Sequence, residues 1–184
     1  GSRALTLWRY RRLLADCGAD PDPMRYVQDD PYSETFFRAL GFGEIETLDY
    51  APYEGAGLVH DLNQPVPEAW HGAFGFIFDG GTLEHVFDLP QAFENVFAML
   101  APGGRFAAAT PLNGFPGHGF YQFSPELVWT YWKRGRGCTV HGVRAIEPKG
   151  GFARDMADPS EAAGRQQIAL GSRWLGRMPP GQIL

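Results

Sequence analysis

The chain has 184 residues, of which 44% are hydrophobic and 20% charged, and its formal net charge is -5. Length and composition together predict one domain, residues 1–184, with room for a substantial core. The acidic balance offers no general attraction for nucleic acid and no apolar run approaches membrane-spanning length. Cys17 and Cys138 stand without metal-ligand company, so a cytoplasmic protein acting on a small molecule or a protein is expected.

In chain order, Ala4–Trp8 reads as a first strand and runs directly into Arg9-Tyr10-Arg11-Arg12. Residues 13–30, broken by Gly18, Pro21 and Pro23, read as loop around a short helix. Asp30-Pro31 has the form of an N-cap followed by a first-turn proline, which predicts a helix to Leu40 closed by Gly41. Ile45–Leu48 predicts a second strand ending at Asp49, and Gly57–His60 a third ending at Asp61. The link between them is too short for a crossover helix, so a trimmed sheet or an irregular connection is expected. Pro65 and Pro67 mark a loop that passes Trp70.

The stretch from Phe74 to Pro111 reads as strand, loop, helix, turn, strand. Phe74, Phe76 and Phe78 share one face with Ile77 on the other, and the apolar run stops at Asp79-Gly80-Gly81. Ala92, Phe93, Val96, Phe97 and Leu100 follow at helical spacing, with Asp88 or Leu89 as cap and Pro90 in the first turn. Ala101-Pro102-Gly103-Gly104 ends that helix, and Phe106–Ala109 reads as a covered strand. Next comes Asn113-Gly114-Phe115-Pro116-Gly117-His118-Gly119-Phe120-Tyr121-Gln122-Phe123, where glycines and aromatic residues surround His118 as in a lid over a pocket. Ser124-Pro125-Glu126 starts a helix with Leu127, Val128, Tyr131 and Trp132 at core spacing, closed by residues 133–137. Cys138–Ile146 predicts an antiparallel strand, Asp158-Pro159-Ser160 caps a short helix through Leu170, and Gln182-Ile183-Leu184 opens a last strand.

The string Asp79-Gly80-Gly81-Thr82-Leu83-Glu84-His85, followed by Met99-Leu100-Ala101-Pro102-Gly103-Gly104-Arg105-Phe106, resembles the fourth-to-fifth-strand unit of class I S-adenosylmethionine (SAM) dependent methyltransferases of the methyltransferase-11 type. The unit covers about a fifth of the chain, with weaker similarity from Ile45 to Pro125. The resemblance implies an α/β fold: a Rossmann-like, doubly wound, mostly parallel sheet with helices on both faces, trimmed relative to a full class I methyltransferase. It also implies SAM as cofactor, with Asp49 on the ribose hydroxyls, Asp61 facing the adenine amino group and Leu62 offering its amide. Asp79, with Gly80 and Gly81, would meet the methionyl end or the acceptor, or else cap its own turn. Glu84 and His85 would be largely architectural, the late strands antiparallel and the terminal strand at an edge. The family's first glycine-rich loop is degenerate here, since Arg9-Tyr10-Arg11-Arg12 stands in its place.

Methyl transfer asks chiefly for alignment of donor and acceptor, and for a base where the acceptor must lose a proton. His118 is the candidate base, and Tyr121 the candidate for orienting an acceptor or lining the sulfonium with its ring face. The competing readings are a histidine bonded to the lid's own backbone and a tyrosine packed with its hydroxyl satisfied. His60, His71 and His141 have no partners at ligand spacing, so no metal site is expected. The reaction read from the resemblance is methyl transfer to a sugar or secondary metabolite. The alternative is a methyltransferase-like protein that binds or scaffolds, or uses the lid pocket for different chemistry. The sequence leaves the oligomeric state open.

Overall fold

The computed structural model describes residues 11–12, 14–27, 29–30, 32–52, 55–146, 153–161 and 181–183. The predicted first strand, Pro31, the helical stretch predicted beyond Glu161 and Leu184 lie outside these residues. The chain divides into two compact units, residues 1–59 and 60–184.

In the first unit Asp22 caps a 3-10 turn, Pro23–Tyr26, by accepting from the Met24 amide. Helix α1, Glu34–Ala39, begins later than Asp30-Pro31 predicts. The Asp30 carboxylate accepts from the Tyr32 amide at 2.8 Å and the Thr35 hydroxyl at 3.1 Å. That arrangement is a local side-chain turn competing with helix, which explains the delayed start. Gly41, at φ 92°, closes the helix as its sequence position suggests. Strands β1 (Leu48–Asp49) and β2 (Leu58–Val59) pair in parallel, Leu48 opposite Leu58 and Asp49 opposite Val59. Both are shorter than predicted. Residues 50–57 cannot hold a crossover helix, and only two residues of each strand come into register.

In the second unit β3 (Phe74–Asp79) and β4 (Leu100–Ala108) pair in parallel through helix α2 (Leu89–Met99), so the predicted strand–helix–strand unit is present. Asp88 caps α2, its Oδ1 accepting from the Gln91 amide at 3.2 Å, and Pro90 sits in the first turn. Ala101–Gly104 belongs to β4 rather than to a separate turn. There the register slips between Phe74 opposite Leu100 and Phe76 opposite Arg105, with Gly103 at φ 77°. A Cβ on Gly104 would lie 2.8 Å from the Ala101 carbonyl, so that close approach needs glycine. Leu89, Ala92, Phe93, Val96 and Met99 are buried on α2. Phe97, predicted for the same face, is 38% exposed and carries the Arg136 guanidinium 5.0 Å above its ring. Asn95 is buried in its stead.

Ala109 alone separates β4 from β5 (Thr110–Asn113). Before the later strands, Ser124 caps helix α3 (Pro125–Leu127), which continues as a π-helix over Val128–Gly135. Strands β6 (Arg144–Ile146), β7 (Ala153–Asp155) and β8 (Gly181–Ile183) then join β5 in the order β5-β8-β6-β7, all antiparallel. The antiparallel late strand expected over Cys138–Ile146 is thus realised by its last three residues, and the terminal strand is internal, not an edge. Phe93 gathers the core rings, with Tyr131 at 4.9 Å, Trp132 at 5.6 Å and Phe123 at 6.3 Å between centroids. The fold class is mixed α/β with small parallel pairs. Among the described residues these pairs remain separate pieces rather than one doubly wound sheet. No described helix is long and apolar enough to cross a membrane.

Asp158 anchors the segment after β7. Its buried carboxylate accepts from Arg134 at 2.9 and 3.1 Å, from Lys133 at 3.2 Å, and from the amide and hydroxyl of Ser160 at 3.0 and 2.8 Å. Burial pulls this carboxyl up, but the bonds from Ser160, Arg134 and Lys133 outweigh it and hold the group well below the usual carboxylate range. A depressed folded-state pKa contributes stability above the unfolded value, and that stability is lost as pH falls. Asp158→Asn should therefore melt below the parent at pH 7, with the gap closing as pH drops through and below about 4. Thermal melts across pH check this. A gap independent of pH would remove the charge from the account.

Candidate functional site

Asp79 is the last residue of β3, at the carboxyl end of a parallel strand, where open α/β sheets present ligands to their loops. Its backbone carbonyl accepts from Ala109 at 2.8 Å, which ties the strand end to the start of β5. Its Oδ1 accepts from the amides of Gly81 at 3.2 Å and Thr82 at 2.8 Å, and Gly81 takes φ 111°. Asp79 therefore caps the Gly80-Gly81 turn, while its Oδ2 is buried with no hydrogen-bond partner. Gly80 closes the turn against the Phe78 ring, 3.2 Å from where a Cβ would stand.

The 3-10 turn Leu83–His85 follows. Leu83 and Glu84 point inward, Glu84 being only 1% exposed, and His85 points out. The loop from Gly114 to Phe123 then returns over this turn. The amides of Phe120 and Tyr121 donate to the Glu84 carbonyl at 2.7 and 3.3 Å, and Phe123 donates to the Pro111 carbonyl at 2.7 Å. Gly117 at φ 78° and Gly119 at φ 74° allow the reversal on either side of His118.

This path sets the His118 Nε2 3.4 Å from Glu84 Oε1, with the His118 side chain half-exposed. The His85 and His118 rings meet edge to face at 4.9 Å, and one ligating atom from each of Glu84, His85 and His118 falls within 4.8 Å of the others. Glu84 Oε2 is buried without a hydrogen-bond partner. At the rim the Tyr121 hydroxyl donates to the Phe87 carbonyl at 2.6 Å, and the exposed rings of Phe87 and Phe120 stack edge to face at 5.5 Å.

Two carboxylates thus lie near each other, Glu84 beneath the loop and Asp79 at the strand end. Burial pushes the Asp79 carboxyl up, the amides of Thr82 and Gly81 pull it back, and the nearby negative charge of Glu84 raises it further. A carboxylate-backed imidazole at the rim of such a site can accept a proton from a bound molecule.

Of the residues singled out in the sequence, His118, Tyr121, Asp79, Gly80 and Gly81 come together around Glu84. Asp61 and Leu62 belong to a loop gripped by Asn95, whose Nδ2 donates to the carbonyls of Leu62 and Gln64 at 3.0 and 2.8 Å. Asp61 Oδ1 accepts from the Asn63 amide and side chain at 2.9 and 2.7 Å, and these bonds hold its carboxyl below the usual range. Asp49 lies in the other unit, exposed at the end of β1, with Oδ1 accepting from the Ala51 amide at 3.1 Å. His60 is accounted for locally, against the Gln64 carbonyl at 3.1 Å and the Trp70 ring.

Glu84 is the residue that sequence reasoning left as architecture. Its only signal is its place between Leu83 and Val86, both buried. Compared with family models, with curated proteins and with solved structures, the chain finds no match in any of the three.

Proposed function

We propose that the protein binds SAM and transfers its methyl group to a small-molecule acceptor, a sugar or secondary metabolite, on a trimmed Rossmann-like scaffold in the cytoplasm. The observation that carries this reading is the loop bonded over Glu84, which brings His118 against the turn that follows the carboxyl end of β3. The parallel β3–α2–β4 unit and the antiparallel strands after it agree with the resemblance carried by residues 79–106.

The residues on offer suit the cofactor's polar groups. Asp49, in the first unit, is an exposed carboxylate at a parallel strand's carboxyl end, the position to which the resemblance assigns the ribose hydroxyls. The partnerless Oδ2 of Asp79 suits the ammonium of a methionyl group. When bound, the cofactor supplies an electrophilic methyl carbon on a sulfonium. His118, held against Glu84, takes the acceptor's proton, and the exposed faces of Phe87 and Phe120 give the acceptor an apolar surface. Tyr121 keeps this rim in place through the Phe87 carbonyl. A binding or scaffolding protein without SAM is the second reading, favoured by the sequence Arg9-Tyr10-Arg11-Arg12 in place of the glycine-rich loop that the resemblance implies.

Calorimetric titration with SAM and with its demethylated product decides between them. The expected result is saturable binding of both, weakened about 10- to 100-fold by Asp49→Ala, as loss of charge-assisted hydrogen bonds implies. No heat from folded protein would sink the methyltransferase reading in favour of the scaffold.

A further inference from the structure

We infer that Glu84, His85 and His118 form a site for a divalent transition-metal cation at the rim of the candidate site. The inference goes beyond the methyl-transfer reading and stands without it. Glu84 is a carboxylate only 1% exposed, and burying such a group is costly unless positive charge or hydrogen bonds meet it. What meets it is slight. Oε1 faces the His118 Nε2 at 3.4 Å, and Oε2 has no hydrogen-bond partner.

Around that carboxylate the chain has placed two imidazoles edge to face at 4.9 Å. The ligating atoms of the two rings and of Glu84 all lie within 4.8 Å of one another. One divalent cation answers all three groups, because it takes a lone pair from each imidazole and balances the buried charge. Ligating atoms 2.0–2.2 Å from a zinc ion would stand closer together than the present 4.8 Å limit. The exposed rings of His85 and His118 can swing inward, whereas the buried Glu84 is the fixed point.

The donor set names the class of metal. Two imidazole nitrogens and one carboxylate oxygen suit Zn²⁺, Fe²⁺, Mn²⁺, Co²⁺ or Ni²⁺, while Mg²⁺ and Ca²⁺ prefer oxygen alone. Three protein ligands leave at least one position open, so the cation is placed to bind an oxygen of a small molecule rather than to staple the fold. A lone pair of His118 held by a cation is closed to a proton. In the cation-loaded protein, therefore, polarising a bound hydroxyl passes from the histidine to the metal.

Zinc chloride titrated calorimetrically into chelator-treated full-length protein tests this, with cobalt chloride as a spectroscopic probe. The expected result is one equivalent bound, a visible cobalt absorption of low coordination number, and at least a 100-fold loss of affinity in His118→Ala and in His85→Ala. Both histidines are exposed, so these variants keep the fold, and circular dichroism verifies it. Glu84→Gln should also abolish the cobalt band, but its buried position makes the histidine variants the deciding ones. Cation binding that is absent from the parent, or unchanged in either histidine variant, overturns the assignment. The titration contains no SAM, so its failure is separate from a failure of the methyl-transfer reading.

Discussion

Gly119→Ala should destabilise the second unit by several kcal/mol and detach the His118 loop, although it adds a single methyl group. Two costs combine. Gly119 sits at φ 74°, a conformation that costs an L-residue about 1–2 kcal/mol. The added Cβ would also stand 2.7 Å from the Glu84 carbonyl oxygen, 2.9 Å from its Cγ and 3.0 Å from its carbonyl carbon. That oxygen is the acceptor for the Phe120 and Tyr121 amides, so it cannot retreat without breaking both bonds. Overpacking of this kind costs about 1–3 kcal/mol more. Gly117→Ala is the matched control, because Gly117 has φ 78° but nothing within 4 Å of a built Cβ. It should pay the backbone cost alone. Urea unfolding of both variants reads the difference directly, and equal midpoints would show that the loop is not seated on Glu84. The two variants should also part in function: Gly119→Ala loses cation binding together with His118 placement, and Gly117→Ala keeps most of both.

What the sequence made legible was local. The β3–α2–β4 unit announces itself through an apolar run, a cap with a first-turn proline and a glycine pair, each of which acts over a few residues. Ser124 as a cap and Gly41 as a terminator are signals of the same kind, and both hold. Asp30 shows how such a signal fails. The same carboxylate that caps a helix also closes a side-chain turn, and the bond to Thr35 decides for the turn.

The site was legible only in halves. His118 stands out because glycines flank it, and Glu84-His85 because of the string around it. Nothing local says that residues more than 30 apart in sequence meet. That meeting depends on the backbone bonds from Phe120 and Tyr121 to Glu84, which no side-chain pattern encodes. The strand order of the late sheet was hidden for a similar reason. Three-residue strands carry too little alternation to reveal a neighbour, so β8 was expected at an edge and instead lies between β5 and β6.

Asn95 is the clearest case of tertiary context overriding a pattern, and its removal is the second large effect expected. On α2 it occupies a buried position that periodicity would assign to an apolar residue, and it is 2% exposed. Its Oδ1 accepts from the Val66 amide at 3.0 Å and from Gln91 Nε2 at 3.0 Å, while its Nδ2 donates to the carbonyls of Leu62 and Gln64. One side chain thereby satisfies three backbone groups of a loop that Pro65 prevents from forming regular structure. Asn95→Ala strands the buried Val66 amide and Leu62 carbonyl, each at about 1–3 kcal/mol, while the exposed Gln64 carbonyl keeps His60, so a loss of about 2–5 kcal/mol is expected. That is a large share of the roughly 5–15 kcal/mol that holds a typical domain together. Asn95→Asp separates chemistry from volume. The carboxylate keeps the acceptor for Val66 and the shape of the side chain, but it has no hydrogen to donate and turns negative charge toward two carbonyl oxygens. It should therefore be at least as damaging as alanine at neutral pH and recover part of its stability as pH falls and the carboxyl gains a proton. Denaturant midpoints for both variants at pH 7 and pH 4.5 measure this. An aspartate variant as stable as the parent at pH 7 would mean that the Leu62 and Gln64 carbonyls do not depend on Asn95. The loop bearing Asp61 would then need another anchor.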